Sequence, residues 1–432
     1  MAHSTDPTII LGGGFTGLFT ALHLSKHNYS QPTLLIDQQE RFSFNPLLYE
    51  FLSGEMQDNQ VWPYYKEILK NHDVKFLQDT VTRIDLDRRQ VKLASGLRYT
   101  YKYLVLALGS TLNYFGVEGA KEHSFAFRNG KHAVTLAEHL RNCFCRVTQT
   151  PDPEKRRALT TVVIVGGGSS GVELAATLAD ILPYWYSVLG GDPQEIRVVI
   201  LERDTKILGS RENNQNSLQD TAQKALAERN VPVELLLGAK VYSVDPKRIE
   251  FQYQGQFESI STATVIWTAG VTTLPIIKEL PIPDDKRDRQ GRLHVTSTLQ
   301  LPDFPKVFAG GDCAAMAENP LPPTAQVAYQ QGYAIARNLK ALSEGKEPSP
   351  ANVKLRGTLM KLGLDESAAY LQDRYYFKGR VGHFIRQTSY LELLPTPMYY
   401  NLKSTAEWLV EAIFQQYSTE NNLTGVGAMS RH

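Results

Sequence analysis

The pattern of apolar and polar positions changes its period at residue 12. Residues 8–11 form a short apolar run, typical of a buried strand, and a helical pattern follows the glycines after it. Gly12, Gly14 and Gly17 separate the two in the spacing G-x-G-x-x-G, and a second apolar run, TLLID, ends at Asp37. The pattern predicts a strand, a glycine turn, a helix and a second strand.

Each glycine in this spacing has its own function. The first permits a tight turn, the second lets the backbone approach a pyrophosphate, and the third lets helix and strand pack closely. The helix then presents free amides and its positive dipole end to the phosphates. Asp37 is placed to accept hydrogen bonds from ribose hydroxyls. We therefore expect a dinucleotide on the loop that contains Phe15 and Thr16.

The same unit occurs a second time in the chain. Residues 162–165 form the apolar run, Gly166, Gly168 and Gly171 the glycine spacing, and Glu202 ends the next strand. A single G-x-G-x-x-G spacing also occurs in glycine turns of unrelated proteins, so two such units in one chain are much stronger evidence for nucleotide binding. A duplicated nucleotide fold suggests two cofactors held face to face, FAD on the first unit and NADH or NADPH on the second.

Two other apolar runs also end in a small residue and glycine. They cover residues 101–110 and 263–271 and contain Gly109 and Gly270. We expect them where the chain passes between the two nucleotide-binding units.

Length and composition narrow the function further. A chain of 432 residues is long enough for two or three domains. Its 42% hydrophobic and 21% charged residues are typical of a globular protein, and a net charge of +1 gives no electrostatic case for nucleic-acid binding. No run of about 18 apolar residues occurs, so we expect no spanning helix.

The cysteines and the amino terminus indicate the compartment. Cys143, Cys145 and Cys313 are too few for a disulfide framework, which favours a reducing compartment. The first strand begins too early to leave room for a secretory leader. We expect a cytosolic protein with no metal site.

With these motifs, the chain resembles the pyridine-nucleotide flavoprotein oxidoreductases, and within them the type II NAD(P)H:quinone oxidoreductases, over about residues 8–345. Residues 41–55 (RFSFNPLLYEFLSGE) and 322–332 (PPTAQVAYQQG) resemble the demethylphylloquinone reductases of cyanobacteria and plastids. The resemblance implies an α/β fold with two Rossmann-like dinucleotide-binding domains and a carboxyl-terminal membrane-associating extension. The implied boundaries are 1–115 and 281–345 for the FAD domain, 116–280 for the NAD(P)H domain, entered through 149–161, and 346–432 for the extension.

The resemblance also implies a reaction. Hydride would pass from NAD(P)H to FAD, and two electrons would then pass to a membrane naphthoquinone, demethylphylloquinone in phylloquinone biosynthesis. Plastoquinone, or a soluble protein acceptor such as ferredoxin, is the alternative. Disulfide reductases of this fold carry a C-x4-C pair after the first glycine motif, and sulfide:quinone oxidoreductases need cysteines flanking the flavin. The three cysteines match neither pattern.

The family's quinone-site pattern, A-Q-x-A-x-Q-Q, matches residues 325–331. By this resemblance Ala325 begins the site, and Gln326 and Gln330, one helical turn apart, face the quinone and donate amide hydrogen bonds to its carbonyl oxygen. The helix amino terminus near Thr324 would face the flavin pyrimidine edge and stabilise its negative charge.

Acidic residues complete the expected site. The resemblance places Asp312, after Gly311, on the flavin ribityl chain. Glu173 either complements a helix dipole or lies near the nicotinamide, where it would orient the carboxamide or assist proton supply. Glu202 favours NADH by repelling a 2′-phosphate, whereas Arg203 would accept one.

The segment after residue 345 is rich in basic and aromatic residues. This composition suits a peripheral anchor on an anionic membrane surface, and the resemblance implies such a contact, on the cytoplasmic face of a bacterial plasma or thylakoid membrane. The core of a small third domain or a homodimer contact is the alternative. The basic residues are Arg374, Lys378, Arg380, Arg386 and Lys403, and a candidate helix over 404–417 aligns Trp408, Leu409, Ala412 and Ile413 on one face.

Overall fold

The computed structural model describes residues 6–209, 216–318, 320–371, 375–391 and 393–395. Its strands are β1 Thr8–Leu11, β2 Thr33–Asp37, β3 Lys75–Gln78, β4 Val81–Asp85, β5 Gln90–Leu93, β6 Arg98–Thr100, β7 Tyr103–Leu106, β8 Ser110–Leu112, β9 Phe125–Ala126, β10 Thr161–Val165, β11 Arg197–Glu202, β12 Val233–Leu237, β13 Lys240–Asp245, β14 Arg248–Tyr253, β15 Gln256–Ser261, β16 Thr264–Trp267, β17 Val271–Thr273, β18 Leu293–Val295, β19 Gln300–Leu301, β20 Phe304–Ala309, β21 Ala314–Met316, β22 Gly357–Lys361, β23 Ser367–Leu371 and β24 Tyr375–Phe377. Its helices are α1 Phe15–Lys26, α2 Leu48–Ser53, α3 Asp58–Val61, α4 Tyr65–Ile68, α5 Ala120–His123, α6 Gly130–Val147, α7 Pro153–Thr160, α8 Ser169–Val188, α9 Asn216–Ala227, α10 Pro275–Lys278, α11 Ala325–Ser343 and α12 Gly379–Leu391.

The first glycine unit lies at the centre of a six-stranded sheet. The strand order is β19-β20-β7-β1-β2-β3, and β1 pairs in parallel with both β2 and β7. The four residues of β1 are all buried, as expected for a parallel strand covered on both faces. Strand β20 joins this sheet from much later in the chain. Helices α1 and α11 pack closely because Gly332 has no side chain. A Cβ at this position would lie 2.7 Å from the Thr16 carbonyl oxygen.

The second glycine unit forms a parallel sheet with the order β12-β11-β10-β16-β9. The predicted α/β class with two Rossmann-like sheets is therefore confirmed. Strands β8 and β17, which follow Gly109 and Gly270, pair with each other in antiparallel fashion. Residues 149–161, predicted to enter the second unit, contain helix α7 and lead into β10. Strand β9 pairs with the same sheet from earlier in the chain.

The described part of the carboxyl-terminal segment is a small sheet, β22-β23-β24, followed by α12. Strand β22 contacts α8, and β23 contacts α9 and α12. A hydrogen bond of 2.6 Å joins the hydroxyls of Tyr376 and Thr221. Among the described residues, no helix combines the length and apolarity needed to cross a bilayer.

Candidate active site

The first glycine loop has the geometry of a phosphate cradle. Gly12 has a φ of +96°, and a Cβ there would lie 2.3 Å from the Ala107 carbonyl oxygen. A Cβ on Gly17 would lie 1.8 Å from the Gly12 carbonyl oxygen. A Cβ on Gly14, by contrast, would have no atom within 4 Å. The first and third glycines are therefore required by the fold, whereas the second borders open space at the start of α1 that fits a pyrophosphate.

The second glycine loop repeats this geometry. Gly166 has a φ of +110°, and its Cβ would lie 2.8 Å from the Ala269 backbone nitrogen. A Cβ on Gly171 would lie 1.9 Å from the Gly166 carbonyl oxygen, and one on Gly168 would have no atom within 4 Å. Gly168 precedes the first residue of α8, and no side chain caps that helix. Both loops thus leave free backbone amides facing an open cradle.

In both units, the carboxylate at the end of the second strand accepts a hydrogen bond from the middle glycine of the loop. Asp37 Oδ2 accepts a hydrogen bond from the Gly13 amide at 2.6 Å, and Glu202 Oε2 accepts one from the Gly167 amide at 2.6 Å. Burial raises the pKa of Asp37, while the Gly13 amide acts in the opposite direction. Carboxylate oxygens have two lone pairs each, so both groups retain acceptors for ribose hydroxyls.

Asp312 lies in a polar group at the crossover between the sheets. Its Oδ2 accepts a hydrogen bond from Ser110 Oγ at 2.8 Å and lies 3.9 Å from Nη2 of Arg128. Arg128 also donates to Ser110 Oγ at 2.9 Å. Burial lowers the pKa of the Arg128 guanidinium, and Asp312 opposes that shift. Sequence reasoning missed Ser110 and Arg128; Ser110 follows Gly109 and could have been found, but Arg128 has no local signal.

The amino terminus of α11 is anchored on the first glycine unit. Thr324 caps the helix through a hydrogen bond from the Val327 amide. Thr16 Oγ1 donates to the Ala328 carbonyl oxygen at 3.0 Å, and Gln331 Oε1 accepts from the Gly311 amide at 2.7 Å. The helix therefore begins beside the loop that contains Asp312.

The amides of Gln326 and Gln330 bind the backbone of residues 354–357. Gln330 Nε2 donates to the carbonyl oxygens of Gln326 and Lys354, at 3.0 and 2.8 Å, and its Oε1 accepts from the Lys354 amide. In this arrangement both N–H groups of Gln330 are directed to the backbone, and the hydrogen bond from Gln330 to a quinone stays a prediction. Gln326 donates once, to Gly357 at 2.7 Å, and keeps a second N–H.

Glu173 is buried on α8, two residues after Gly171 and beyond the first turn, which contains no acidic residue. The expected complement to the dipole of the first turn is therefore wrong. Its Oε1 accepts a hydrogen bond from the Lys361 amide at 2.9 Å and lies 3.6 Å from Nη2 of Arg386. Burial raises its pKa to about 7, although Arg386 and the Lys361 amide act to lower it. A carboxyl with this pKa gains or loses a proton readily near neutral pH.

Arg386 was predicted to contact lipid, and this prediction was wrong. Its side chain is fully buried and forms an ion pair with Glu50 of α2. Glu50 is also fully buried. A cation with that partner in the interior cannot reach a membrane surface. Sequence reasoning also missed Lys361, because nothing in its neighbourhood indicates that a lysine there is buried.

The raised pKa of Glu173 predicts a pH-dependent stability. An unfolded glutamate ionises near pH 4.5, whereas the folded group holds its proton to about pH 7. The free energy of unfolding should therefore decrease between those two pH values, by about 3 kcal/mol from this group. Glu173→Gln should remove that contribution. The difference between the free energies of unfolding of variant and wild type, measured with urea, should therefore change over this pH range. A constant difference from pH 4.5 to 7.5 would contradict the assigned shift.

The cysteines do not form a redox-active disulfide pair. All three are free, and Cys143 and Cys313 are buried. Cys313 donates to the carbonyl oxygens of Leu106 and Gly310, and burial raises its pKa to about 11. Neither buried thiol is therefore available as a thiolate at neutral pH.

Known proteins show the same architecture. The chain is 27% identical over 380 residues to a type II NADH:quinone oxidoreductase of Staphylococcus aureus, covering 87% of this chain and 92% of that protein. The structure of NDH2 from Plasmodium falciparum aligns with a TM-score of 0.80 at 18% identity, covering 94% of this chain and 97% of that one. The sulfide:quinone oxidoreductase of Aquifex aeolicus aligns with a TM-score of 0.71 at 18% identity, covering 88% and 89%.

A family model covers most of the chain as well. The model of the pyridine nucleotide-disulphide oxidoreductases matches residues 6–332, which include both glycine cradles, Asp312 and the start of α11. The chain therefore belongs to the pyridine nucleotide-disulphide oxidoreductase family.

Proposed function

We propose that this oxidoreductase transfers reducing equivalents from NADH through FAD to a membrane quinone, as a type II NADH:quinone oxidoreductase. The observation that carries the proposal is the pair of equivalent cradles in one chain, with no reactive cysteine pair between them in the described part. Electrons arriving at a flavin there leave for an external acceptor. The Staphylococcus aureus relative bears this activity in its name and supports the assignment.

FAD supplies the hydride and electron chemistry when bound. The first cradle would hold its pyrophosphate at the start of α1, and Asp37 would bind its ribose. Asp312, oriented by Ser110, would hold the ribityl chain. The second cradle would hold the nicotinamide dinucleotide, and Glu173 would keep or release a proton beside it.

NADH is the proposed donor because of the residues around Glu202. One oxygen of Glu202 holds Gly167 and the other accepts from the Asp204 amide at 2.8 Å. This fixed carboxylate would repel a 2′-phosphate. The Arg203 side chain is 73% exposed, with Asp204 4.0 Å away. Because Arg203 is exposed beside Glu202, NADPH is compared with NADH in the test below.

The proposed quinone is a naphthoquinone such as demethylphylloquinone, reduced in phylloquinone biosynthesis. The proposal rests on the likeness of residues 41–55 to that subgroup. In this segment Phe42 and Phe44 lie edge-on to Phe15, with ring centroids 5.3 and 5.1 Å apart. Phe44 in turn contacts Tyr390 of α12 at 5.9 Å. Phe42 and Phe44 are fully buried, so these rings form the core behind the first cradle and would support a quinone site without lining it.

The acceptor is tested by steady-state NADH oxidation with matched electron acceptors. The acceptors are a short-chain naphthoquinone, a short-chain benzoquinone and a ferredoxin of matched reduction potential. Each acceptor is tested with NADH and with NADPH as the donor. We expect the highest kcat/KM for NADH with naphthoquinone. Preference for ferredoxin, or turnover indifferent to every quinone, would contradict the proposed function.

The exposed face of α12 is the proposed membrane contact. Val381 and Phe384 are 59% and 53% exposed, and Lys378 and Arg380 beside them are exposed as well. Apolar side chains with flanking cations suit insertion at an anionic bilayer surface. Arg374, Lys403 and the candidate helix at 404–417 lie outside the described residues, and the domain boundaries and homodimer remain predictions.

The double substitution Val381→Glu and Phe384→Glu should weaken binding to anionic vesicles. It replaces two apolar contacts with two like charges, so we expect at least about a tenfold loss in partitioning. Co-sedimentation with phosphatidylglycerol vesicles measures it. Phe257→Glu is the control, because Phe257 is 73% exposed but lies on β15. An equal loss of vesicle binding in the α12 double variant and in Phe257→Glu would contradict a membrane contact at α12.

A further inference from the structure

A cluster of buried charges surrounds Glu173 and joins three parts of the chain. Lys361 Nζ lies 2.7 Å from Glu55 Oε2 and 3.5 Å from Glu50 Oε1. Arg386 pairs with Glu50 and reaches Glu173 at 3.6 Å. The side chains of Lys361, Glu50 and Arg386 are 0% exposed, whereas that of Glu55 is 24% exposed. Both cations come from the segment after residue 345. The carboxyls are Glu50 on α2, Glu55 two residues after that helix, and Glu173 on α8.

The charges of this cluster do not balance when every group is ionised. Lys361 has Glu55 as its close partner, and Arg386 has Glu50. Among the described cations, Glu173 has only the longer contact to Arg386, which is already paired. Its hydrogen bonds, with the Lys361 amide and the Tyr49 side chain, involve neutral groups. Three carboxyls thus face two cations. An uncompensated buried charge is costly, so one carboxyl keeps its proton, and Glu173 is the one with the weakest pairing.

Burial raises the pKa of Glu55 as well, but Lys361, its close partner at 2.7 Å, acts to lower it. The remaining titratable groups that face the cluster do not change this count. Burial and nearby Lys361 lower the pKa of His383 to about 3, so this histidine is neutral. Burial raises the pKa values of the Tyr49 and Tyr390 phenols, which keep their protons. Burial of Glu50 is outweighed by Arg386 and Lys361, which hold its pKa at about 2. Glu50 is therefore a fixed negative charge in the cluster.

We propose that Glu50 and Lys361 are positioning residues that keep one exchangeable proton on Glu173 by fixing the charge balance of this buried cluster. The cluster also explains why the carboxyl-terminal segment docks against α2 and α8, since it supplies both cations. The use of that proton in quinone reduction rests on the proposed function. The protonation of Glu173 itself does not.

Two substitutions should move the titration of Glu173 in opposite directions. Glu50→Gln leaves two carboxyls with two cations, so Glu173 should ionise at a pH lower by about one unit or more. Lys361→Met leaves three carboxyls with one cation, so Glu173 should ionise at a pH higher by about one unit or more, while its hydrogen bond from the backbone amide remains. A structural defect alone would not shift the two variants in opposite directions.

The titration is measured by infrared spectroscopy of the full-length protein without NADH or quinone. The carboxyl C=O band that disappears in Glu173→Gln identifies the group, and its midpoint is followed with pH in each variant. Arg229→Met is the control, because Arg229 pairs with Asp180 on α8 and Glu366, outside the cluster. We expect no shift in that control.

Opposite shifts of at least about one unit support the proposal. Shifts of the same sign, or none in both variants, would overturn it. If Glu50→Gln does not fold, Glu55→Gln replaces it, since its partly exposed side chain tolerates the change; a smaller downward shift is expected there. Activity is measured separately, so a protein that shows the opposite shifts but does not reduce quinone would contradict the proposed function and not the cluster.

Discussion

Replacing Gly168 with valine is expected to leave a folded, yellow protein that binds NADH about 100-fold more weakly, a loss of about 2.7 kcal/mol. Gly168 has a φ of −72° and a ψ of 179°, which any residue adopts, and a Cβ there meets no protein atom within 4 Å. The side chain should therefore be tolerated by the fold and occupy the space of the pyrophosphate. Fluorescence titration with NADH and the flavin absorbance measure the two effects.

The matching substitution in the first cradle is the control for this result. Gly14 has a φ of −65° and an equally open Cβ position. Gly14→Val should yield folded protein without bound flavin. If Gly168→Val instead lost its flavin, or if both variants bound both cofactors normally, the assignment of one cofactor to each cradle would be wrong.

Glu173→Gln is expected to slow flavin reoxidation by naphthoquinone about 100-fold while changing flavin reduction by NADH less than about twofold. With a pKa of about 7, the wild-type carboxyl carries its proton below neutral pH. Reoxidation in the wild type should therefore slow as the pH rises through 7, because the proton donor is lost. The variant has no such group and should lose this pH dependence.

Stopped-flow absorbance of each half-reaction separates the two effects. Asp180→Asn is the control, because Asp180 lies on the same helix and is also an acidic residue, but its ion pair is with Arg229 at 3.2 Å and not with Lys361 or Arg386. It should keep both rates. Equal losses in both half-reactions of Glu173→Gln would contradict a specific role of Glu173 in quinone reduction.

The nucleotide cradles could be predicted from sequence because their determinants are local. The clashes that exclude a side chain at Gly12 and Gly17 involve neighbouring strands and the loop itself, and they follow from the glycine spacing. The carboxylates of Asp37 and Glu202 also end the strands in the predicted positions. Regular parallel pairing of buried apolar runs then determines the sheets.

The surroundings of Glu173 and Gln330 could not be predicted, because they depend on contacts between distant parts of the chain. Helical spacing correctly places Gln326 and Gln330 on one face but does not say that residues 354–357 cover it. Arg386 was assigned to a membrane surface because basic residues are usually exposed. Its partner Glu50 lies 336 residues away, and no local pattern links the two.

The central claim is that one chain carries electrons from NADH through a bound flavin to a quinone, and anaerobic stopped-flow absorbance of the purified protein tests it most directly. NADH should bleach the flavin band in a single mixing step, and a short-chain naphthoquinone should restore it in a second. A colourless protein after reconstitution with FAD, or a reduced flavin that no quinone reoxidises, would contradict the claim.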